Sequence, residues 1–244
     1  MNRKQMLSMP QSYFDYNCDK CMNSGYIITD IDGNEVAKEC ECREIKRIAI
    51  NIKNSGVAHL LNDCSLEKFM VKDEWQQCLK NTAEKYVSAI CSSEPLGWFY
   101  VGGQVGAGKT HLCIGILGEF LKLGATAKYM MWREESIKLK SVINDSEEYT
   151  SRMENFKEPN LLYIDDFFKT ERGKQPSSAD INLAFEIINY RYVNRNSPTI
   201  ISTEWSIDEL MDLDEAVGSR IYQMAGECCM HISRNRMKNY RLGR

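Results

Sequence analysis

The stretch Gly103-Gln104-Val105-Gly106-Ala107-Gly108-Lys109-Thr110 decides the fold. It has the form G-x-x-x-x-G-K-T. Trp98-Phe99-Tyr100-Val101 before it reads as a buried strand, and after it Leu112, Ile114, Ile116, Leu117 and Phe120 recur at helical spacing. Strand, glycine loop and helix in that order make a phosphate-binding loop rather than a plain turn before a core helix. The glycines let backbone N–H groups close around a triphosphate, and the helix N-terminus adds positive dipole. Lys109 is expected to reach the β- and γ-phosphates of ATP, and Thr110 to ligate Mg²⁺. Nucleotide contacts are expected along Gly103, Gln104, Val105, Gly106, Ala107, Gly108, Lys109, Thr110 and His111.

Downstream, strands alternate with helices. Thr126 to Trp132 reads as a strand, 134–158 as polar helix, and Leu161-Leu162-Tyr163-Ile164 as an apolar strand ending on Asp165-Asp166. Ser178 to Asn194 reads as a helix with Ile181, Ala184, Phe185, Ile188 and Tyr192 inward. Thr199-Ile200-Ile201-Ser202 is a further strand, and Ser206-x-x-Glu209 a capping box. This alternation implies an α/β fold, a parallel sheet with helices on both faces. Asp165-Asp166 at a strand end fits a Walker B element: Asp165 would hold Mg²⁺ through water, and Asp166 would orient the attacking water. Arg220, in Gly218-Ser219-Arg220-Ile221, reads either as an arginine finger for a neighbouring subunit or as a surface partner of Asp214 or Glu215.

The 244 residues fit a large domain with a small one ahead of it, divided near residue 65, and 43% hydrophobic content supports a core. A net charge of -3 means that any nucleic-acid surface is local. One basic stretch is 231–244, with Arg234, Arg236, Lys238, Arg241 and Arg244. No apolar run approaches the about 18 residues of a membrane span, and no secretion signal is legible, so a cytoplasmic protein without a membrane partner is expected.

In a reducing compartment the ten cysteines are metal ligands or small buried hydrophobes. Cys18-x-x-Cys21 and Cys40-x-Cys42 flank a predicted hairpin, Tyr26–Thr29 and Glu35–Ala37 around the turn Asp30-Ile31-Asp32-Gly33-Asn34. Two knuckles carried together by a hairpin imply a four-thiolate zinc site. His59, His111 and His231 lie outside it, which favours a structural zinc. Cys64, Cys78, Cys91 and Cys113 are expected in the core; Cys228 and Cys229 receive no role. From Glu44 to about Leu61 a helix and linker is expected, broken at Asn54-Ser55-Gly56, and a second helix from Glu74 to about Ile90.

Several of these elements occur together in one order: the loop at 103–110, Leu161 to Phe167, Pro198 to Thr203, Gly218-Ser219-Arg220-Ile221 and Asn239-Tyr240-Arg241. In that order the chain resembles the bacterial and phage replicative helicase loaders of the DnaC type, a branch of the AAA+ ATPases. The resemblance implies an AAA+ P-loop ATPase core at 66–244 behind a zinc-binding, helicase-interacting domain at 1–65. It implies ATP hydrolysis to ADP and phosphate, self-association through the ATP site, and two partners, the hexameric replicative DNA helicase and single-stranded DNA. By it Arg220 is the finger and Arg241 the sensor-2 residue, so that Lys109, Asp165, Asp166, Arg220 and Arg241 form the catalytic set. The sequence departs from the pattern at sensor 1, where Glu204 stands in place of the usual Asn, with Thr203 beside it. For single-stranded DNA the candidates are Trp132, Arg133, Lys138, Lys140, Phe168, Lys169, Arg172 and Lys174, with one of Phe167 and Phe168 expected in the core instead. Two other readings stay open: an ATPase helper of insertion-sequence transposition, and a nucleotide-gated adaptor with little hydrolysis.

Overall fold

The computed structural model describes residues 17–31, 34–90, 92, 96–171, 174–194 and 197–242. The turn residues Asp32 and Gly33, and Cys91, Arg172 and Arg244, lie outside the described residues. The main sheet has five strands: β3 (Phe99–Gly103), β4 (Ala127–Met131), β5 (Leu161–Phe167), β6 (Thr199–Thr203) and β7 (Cys229–Ile232). Their order is β4-β5-β6-β3-β7, and every neighbouring pair is parallel. A parallel sheet is covered on both faces, so its strands read as continuous apolar runs. Alternate strand residues then feed two cores. Phe99, Val101, Leu161, Tyr163 and Ile200 pack with helices α2 (Glu74–Ala89) and α3 (Lys109–Lys122). Tyr100, Leu162, Ile164 and Ile201 pack with α4 (Trp132–Ser141), α5 (Ser146–Lys157), α6 (Ser178–Val193), α7 (Ile207–Leu213) and α8 (Glu215–Ala225).

The predicted elements are present, with four differences. The single helix expected over 134–158 is two, because Asp145 caps a new start by accepting from the Glu148 N–H. Trp132 opens α4 rather than ending the strand. On α6 the buried stripe is Leu183, Ala184, Ile187, Ile188 and Arg191, one position away from the predicted face; Phe185 is exposed. Cys78 is exposed on the outer side of α2, and Cys64 is half-buried, so among the described members of that group Cys113 lies fully in the core.

Arg191 is a buried cation on that stripe. Its guanidinium donates to the Phe156, Lys157, Pro159 and Pro198 carbonyls and to Thr199 Oγ1. These contacts staple the end of α5 to the starts of β5 and β6. Burial pulls its pKa down to about 10.

Ahead of the sheet, β1 (Tyr26–Ile31) and β2 (Asn34–Glu39) form an antiparallel hairpin, and α1 (Cys42–Ser55) follows, ending at Gly56 in the left-handed region. Packing shows no break near residue 65. Val57, Leu61, Leu66 and Phe69 share the core of the main sheet, and Asn51 Nδ2 donates to the Gly124 and Ala125 carbonyls at 2.9 and 3.2 Å. What stands apart from that core is the hairpin with its four cysteines. No helix among the described residues is long and apolar enough to cross a membrane.

Candidate nucleotide site and cysteine cluster

The phosphate loop joins β3 to α3, and its ends are fixed by the sheet. Gln104 N donates to the Ile232 carbonyl of β7, and the Gln104 side chain accepts from Asn235 N at 2.8 Å. Gly106 adopts φ 71°, and a Cβ there would stand 2.0 Å from Asn239 Oδ1. The chain after β7 therefore lies directly on the loop, and Tyr240 N donates to the Gly106 carbonyl at 2.9 Å.

The acid-bearing β5 is separated from the loop-bearing β3 by β6. That spacing lets the side chains meet across the strand ends. Thr110 Oγ1 donates to Asp165 Oδ1 at 3.1 Å. Asp165 is buried, and it also accepts from Tyr163 Oη at 2.7 Å, Tyr129 Oη at 3.0 Å, its neighbour Asp166 N at 3.1 Å, and Ser202 Oγ. A buried carboxylate needs such donors. A hydroxyl and a carboxylate oxygen this close are the hard oxygen ligands that Mg²⁺ prefers. The residues present thus fit that ion.

Lys109 is buried, and its Nζ donates to the Gly103 and Gln104 carbonyls at 2.8 and 2.7 Å. Burial lowers its pKa, against the attraction of Glu204 and Asp166. A bound phosphate would restore the lost charge compensation.

Lys109 and Thr110 open into a cavity of about 350 Å³, together with Val105, Gly106, Gly108, His111, Asp166, Lys169, Glu204 and Arg241. Its far end is formed by Phe69, Met70 and Tyr240, whose hydroxyl donates to the Met70 carbonyl at 2.6 Å. His111 Nε2 lies 2.9 Å from the Ser65 carbonyl, and its ring meets Phe69 edge-on. Among the expected contacts, Ala107 is buried, and Gly103 and Gln104 present their carbonyls to Lys109.

Glu204, at the sensor-1 position, faces this cavity. Thr203 does not: its hydroxyl donates to the Phe167 carbonyl at 2.7 Å and is buried. Lys169 Nζ bridges Asp166 Oδ2 at 2.9 Å and Glu204 Oε1 at 3.1 Å. Arg220 lies on α8, away from the residues lining its own chain's cavity. Its guanidinium stands 5.3 Å from the ring centres of both Phe185 and Tyr192, and Nη1 donates to the Ala216 carbonyl. Its Nε is buried with no hydrogen-bond partner among the described residues. Asp214 is used instead as the N-cap of α8.

The expected DNA-stacking side chains are placed otherwise. Trp132 and Phe168 are core, together with Phe167: Phe167 and Phe168 stack at 4.2 Å, and Trp132 meets both edge-on. Lys138 pairs with Glu135, Lys140 with Asp180, and Lys174 with Glu171. Arg133 is exposed and borders a second groove of about 640 Å³ that shares Lys169 and Glu204 with the first cavity. The sequence marked these residues by type; Trp132, Phe168 and Lys140 meet partners from other elements, and Lys138 and Lys174 pair three residues away.

The hairpin brings the cysteines together. Cys18, Cys21, Cys40 and Cys42 are buried, with all four sulfurs within 4.8 Å of one another. Cys18 Sγ and Cys40 Sγ are 3.7 Å apart, and Cys21 Sγ and Cys42 Sγ 3.4 Å. A tetrahedral site with Zn–S bonds of about 2.3 Å has S···S edges of about 3.8 Å, so the cluster fits zinc. The C-x-C spacing works because Cys42 is the first residue of α1, and the helical turn supplies the bend. Burial and the other thiols push Cys42 up to about 12. At Cys21 burial acts in the same sense, but hydrogen bonds from Cys42 and the Gly25 N–H outweigh it and hold the thiol down at about 6. A dication is what would let all four ionise.

A phosphate loop, an acid pair and this strand order define a P-loop NTPase fold of the AAA+ type. Among solved structures, the DnaC helicase loader aligns with TM-score 0.57 at 22% identity, over 70% of this chain and 96% of that one. DnaI aligns with TM-score 0.55 at 19% identity, over 70% and 87%. AMPPCP-bound DnaA from Aquifex aeolicus gives 0.55 at 19%, over 70% and 49%. At these identities the likeness is one of fold, which the chain shares with loaders of the DnaC type and with the initiator. No protein-family model matches the chain.

By sequence, the chain is 32% identical over 227 residues to the uncharacterized protein YqaM of Bacillus subtilis (strain 168), covering 85% of this chain and 67% of YqaM. It belongs to the YqaM family. The phage-like element PBSX protein XkdC of the same organism is 28% identical over 222 residues, covering 87% and 80%.

Proposed function

We propose that this protein is an ATP-dependent loader of the replicative DNA helicase onto single-stranded DNA, acting in the cytoplasm. The observation that carries the reading is the meeting of Lys109, Thr110 and Asp166 at one cavity, with Asp165 buried behind it and hydrogen-bonded to Thr110, in a chain that sets a four-cysteine hairpin ahead of an AAA+ fold. In this reading Lys109 and the loop N–H groups bind the phosphates of ATP. Thr110 and Asp165 hold Mg²⁺, which supplies charge neutralisation on the phosphates when bound. Asp166 orients the attacking water, and Arg241 reaches the γ-phosphate of its own subunit.

Arg220 is remote from its own cavity and held in an aromatic cradle, which suits a finger presented to the next subunit. Nucleotide binding thereby couples to self-association. The N-terminal segment, 1–65, whose four-cysteine hairpin would hold zinc, grips the hexameric helicase, and its last turns pack on the core of the ATPase, 66–244. Single-stranded DNA is the second partner, and Arg133 is the candidate contact among the residues proposed for it.

Co-purification with a hexameric replicative helicase, followed by native mass measurement, tests the loader reading. A complex of loader subunits on one hexamer is expected, and ATP turnover that responds to single-stranded DNA. Capture of a transposase instead would make the protein a transposition helper. ATP binding without turnover would make it a nucleotide-gated adaptor.

A further inference from the structure

Two carboxylates, Asp166 and Glu204, line the same cavity, and one ammonium stands between them. Lys169 reaches both because of the turn that carries it. Asp166 and Phe168 both adopt positive φ, 52° and 58°, which non-glycine residues rarely do. Lys169 N donates to the Asp166 carbonyl at 2.9 Å and closes the turn. The aromatic trio of Trp132, Phe167 and Phe168 holds it from beneath, since Phe168 is buried against both partners. A conformation this unfavourable persists only where packing over-determines it, and such positions cluster at functional sites.

We propose that Lys169 is a positioning residue that restrains ATP hydrolysis by tying Asp166 to Glu204 across the mouth of the nucleotide cavity. The inference rests on the ATPase reading above. Asp166 acts by accepting a hydrogen bond from the attacking water, and in the resting chain its Oδ2 is taken by Lys169 Nζ. The ammonium is strongly held: burial works against its charge, and the two carboxylates overcome that and raise its pKa. Glu204 is the second anchor. It shares the ammonium, so Lys169 is not committed to Asp166 alone. Removing Lys169 leaves Oδ2 of Asp166 free to accept from water. Removing the charge of Glu204 commits Lys169 wholly to Asp166.

The two substitutions therefore act in opposite directions on the same step. In steady-state ATP turnover by the full chain, Lys169→Met is expected to raise kcat about twofold to fivefold, the upper part of the span of a partly screened ion pair. KM for ATP should stay within about a factor of two, because Lys109 and the loop bind the phosphates. Lys169→Arg should restore the resting rate, and Glu204→Gln should lower kcat. A merely structural turn would shift KM and thermal midpoint together and would not separate the Met and Arg variants. An unchanged or reduced kcat in Lys169→Met, in an otherwise active wild type, overturns the restraint and leaves the ATPase reading standing. If wild type and variant bind a fluorescent ATP analogue equally and neither turns ATP over, the ATPase reading fails and the restraint fails with it.

Discussion

Replacing Gly106 by Ala tests how the phosphate loop and the C-terminal segment are locked together. The left-handed conformation at φ 71° costs a residue with a Cβ about 1–2 kcal/mol. The new Cβ also falls 2.0 Å from Asn239 Oδ1 and 2.6 Å from its Cγ. These atoms belong to a side chain that can swing away, but in doing so Asn239 gives up the hydrogen bond that Arg241 N donates to it at 3.0 Å. An exposed bond of that kind contributes about 0.5–1 kcal/mol. The total, about 1.5–3 kcal/mol, corresponds to a fall in Tm of about 3–12 °C for a domain of this size.

A double-mutant cycle separates the two parts. In Gly106→Ala with Asn239→Ala the overlap is gone and the backbone strain stays, so the double variant should be about 0.5–1 kcal/mol more stable than the two single losses predict. Thermal melts read by circular dichroism provide the numbers. Strict additivity, or a single-variant Tm within about 1 °C of wild type, would refute the contact between Gly106 and Asn239.

Arg220→Ala should leave ATP affinity unchanged while lowering turnover about a thousandfold, the lower range for an arginine finger, provided that the protein is concentrated enough to self-associate; turnover near wild type would remove the finger. Metal analysis of the purified chain should find about one zinc per polypeptide, the stoichiometry of a closed four-thiolate site. Chelation should then release hydrogen-exchange protection in β1 and β2 while the main sheet keeps it, because the hairpin's own buried cluster consists of the four cysteines. Asp180 gives a pH signature. Burial acts to raise its pKa, but hydrogen bonds from Lys140 and Ser177 outweigh it and hold the carboxyl below its ordinary value. Its contribution to stability is therefore complete above the unfolded carboxylate pKa of about 3.9 and is lost as pH falls through the lower folded value. Asp180→Asn should lower Tm at pH 7 and converge with wild type at the acid end of a melt series; a pH-independent difference would remove the ion pair from the account.

The convergence of the candidate site residues on one cavity was legible in the sequence where they are contiguous. The loop from Gly103 to Thr110 and the pair Asp165-Asp166 carry their own strand and helix contexts, and the structure brings Thr110 and Asp165 into contact. The cysteine cluster was legible for the same reason, since two short knuckles and a hairpin specify one another. What the sequence hid were partners supplied by other elements. Phe168 and Trp132 look like exposed stacking surfaces after a strand end, yet they are buried because the turn after Asp166 doubles back under α4. Lys169 reads as a DNA-facing cation, but Glu204 arrives from β6 to hold it. Arg191 gave no signal, because charge argues for solvent and only the carbonyls at the ends of α5, β5 and β6 make its burial tolerable. The split at Asp145 was readable as a cap, with Glu148 three residues on, inside a segment whose polarity suggested one long helix.

Titration of the chain with ATP by calorimetry, with and without Mg²⁺ and in parallel for Lys109→Ala, addresses the binding site at the centre of this account. One nucleotide per chain, bound more tightly with Mg²⁺ and lost in the variant, is the expected result. Binding that persists unchanged without Lys109, or no binding by the wild-type chain, would contradict it.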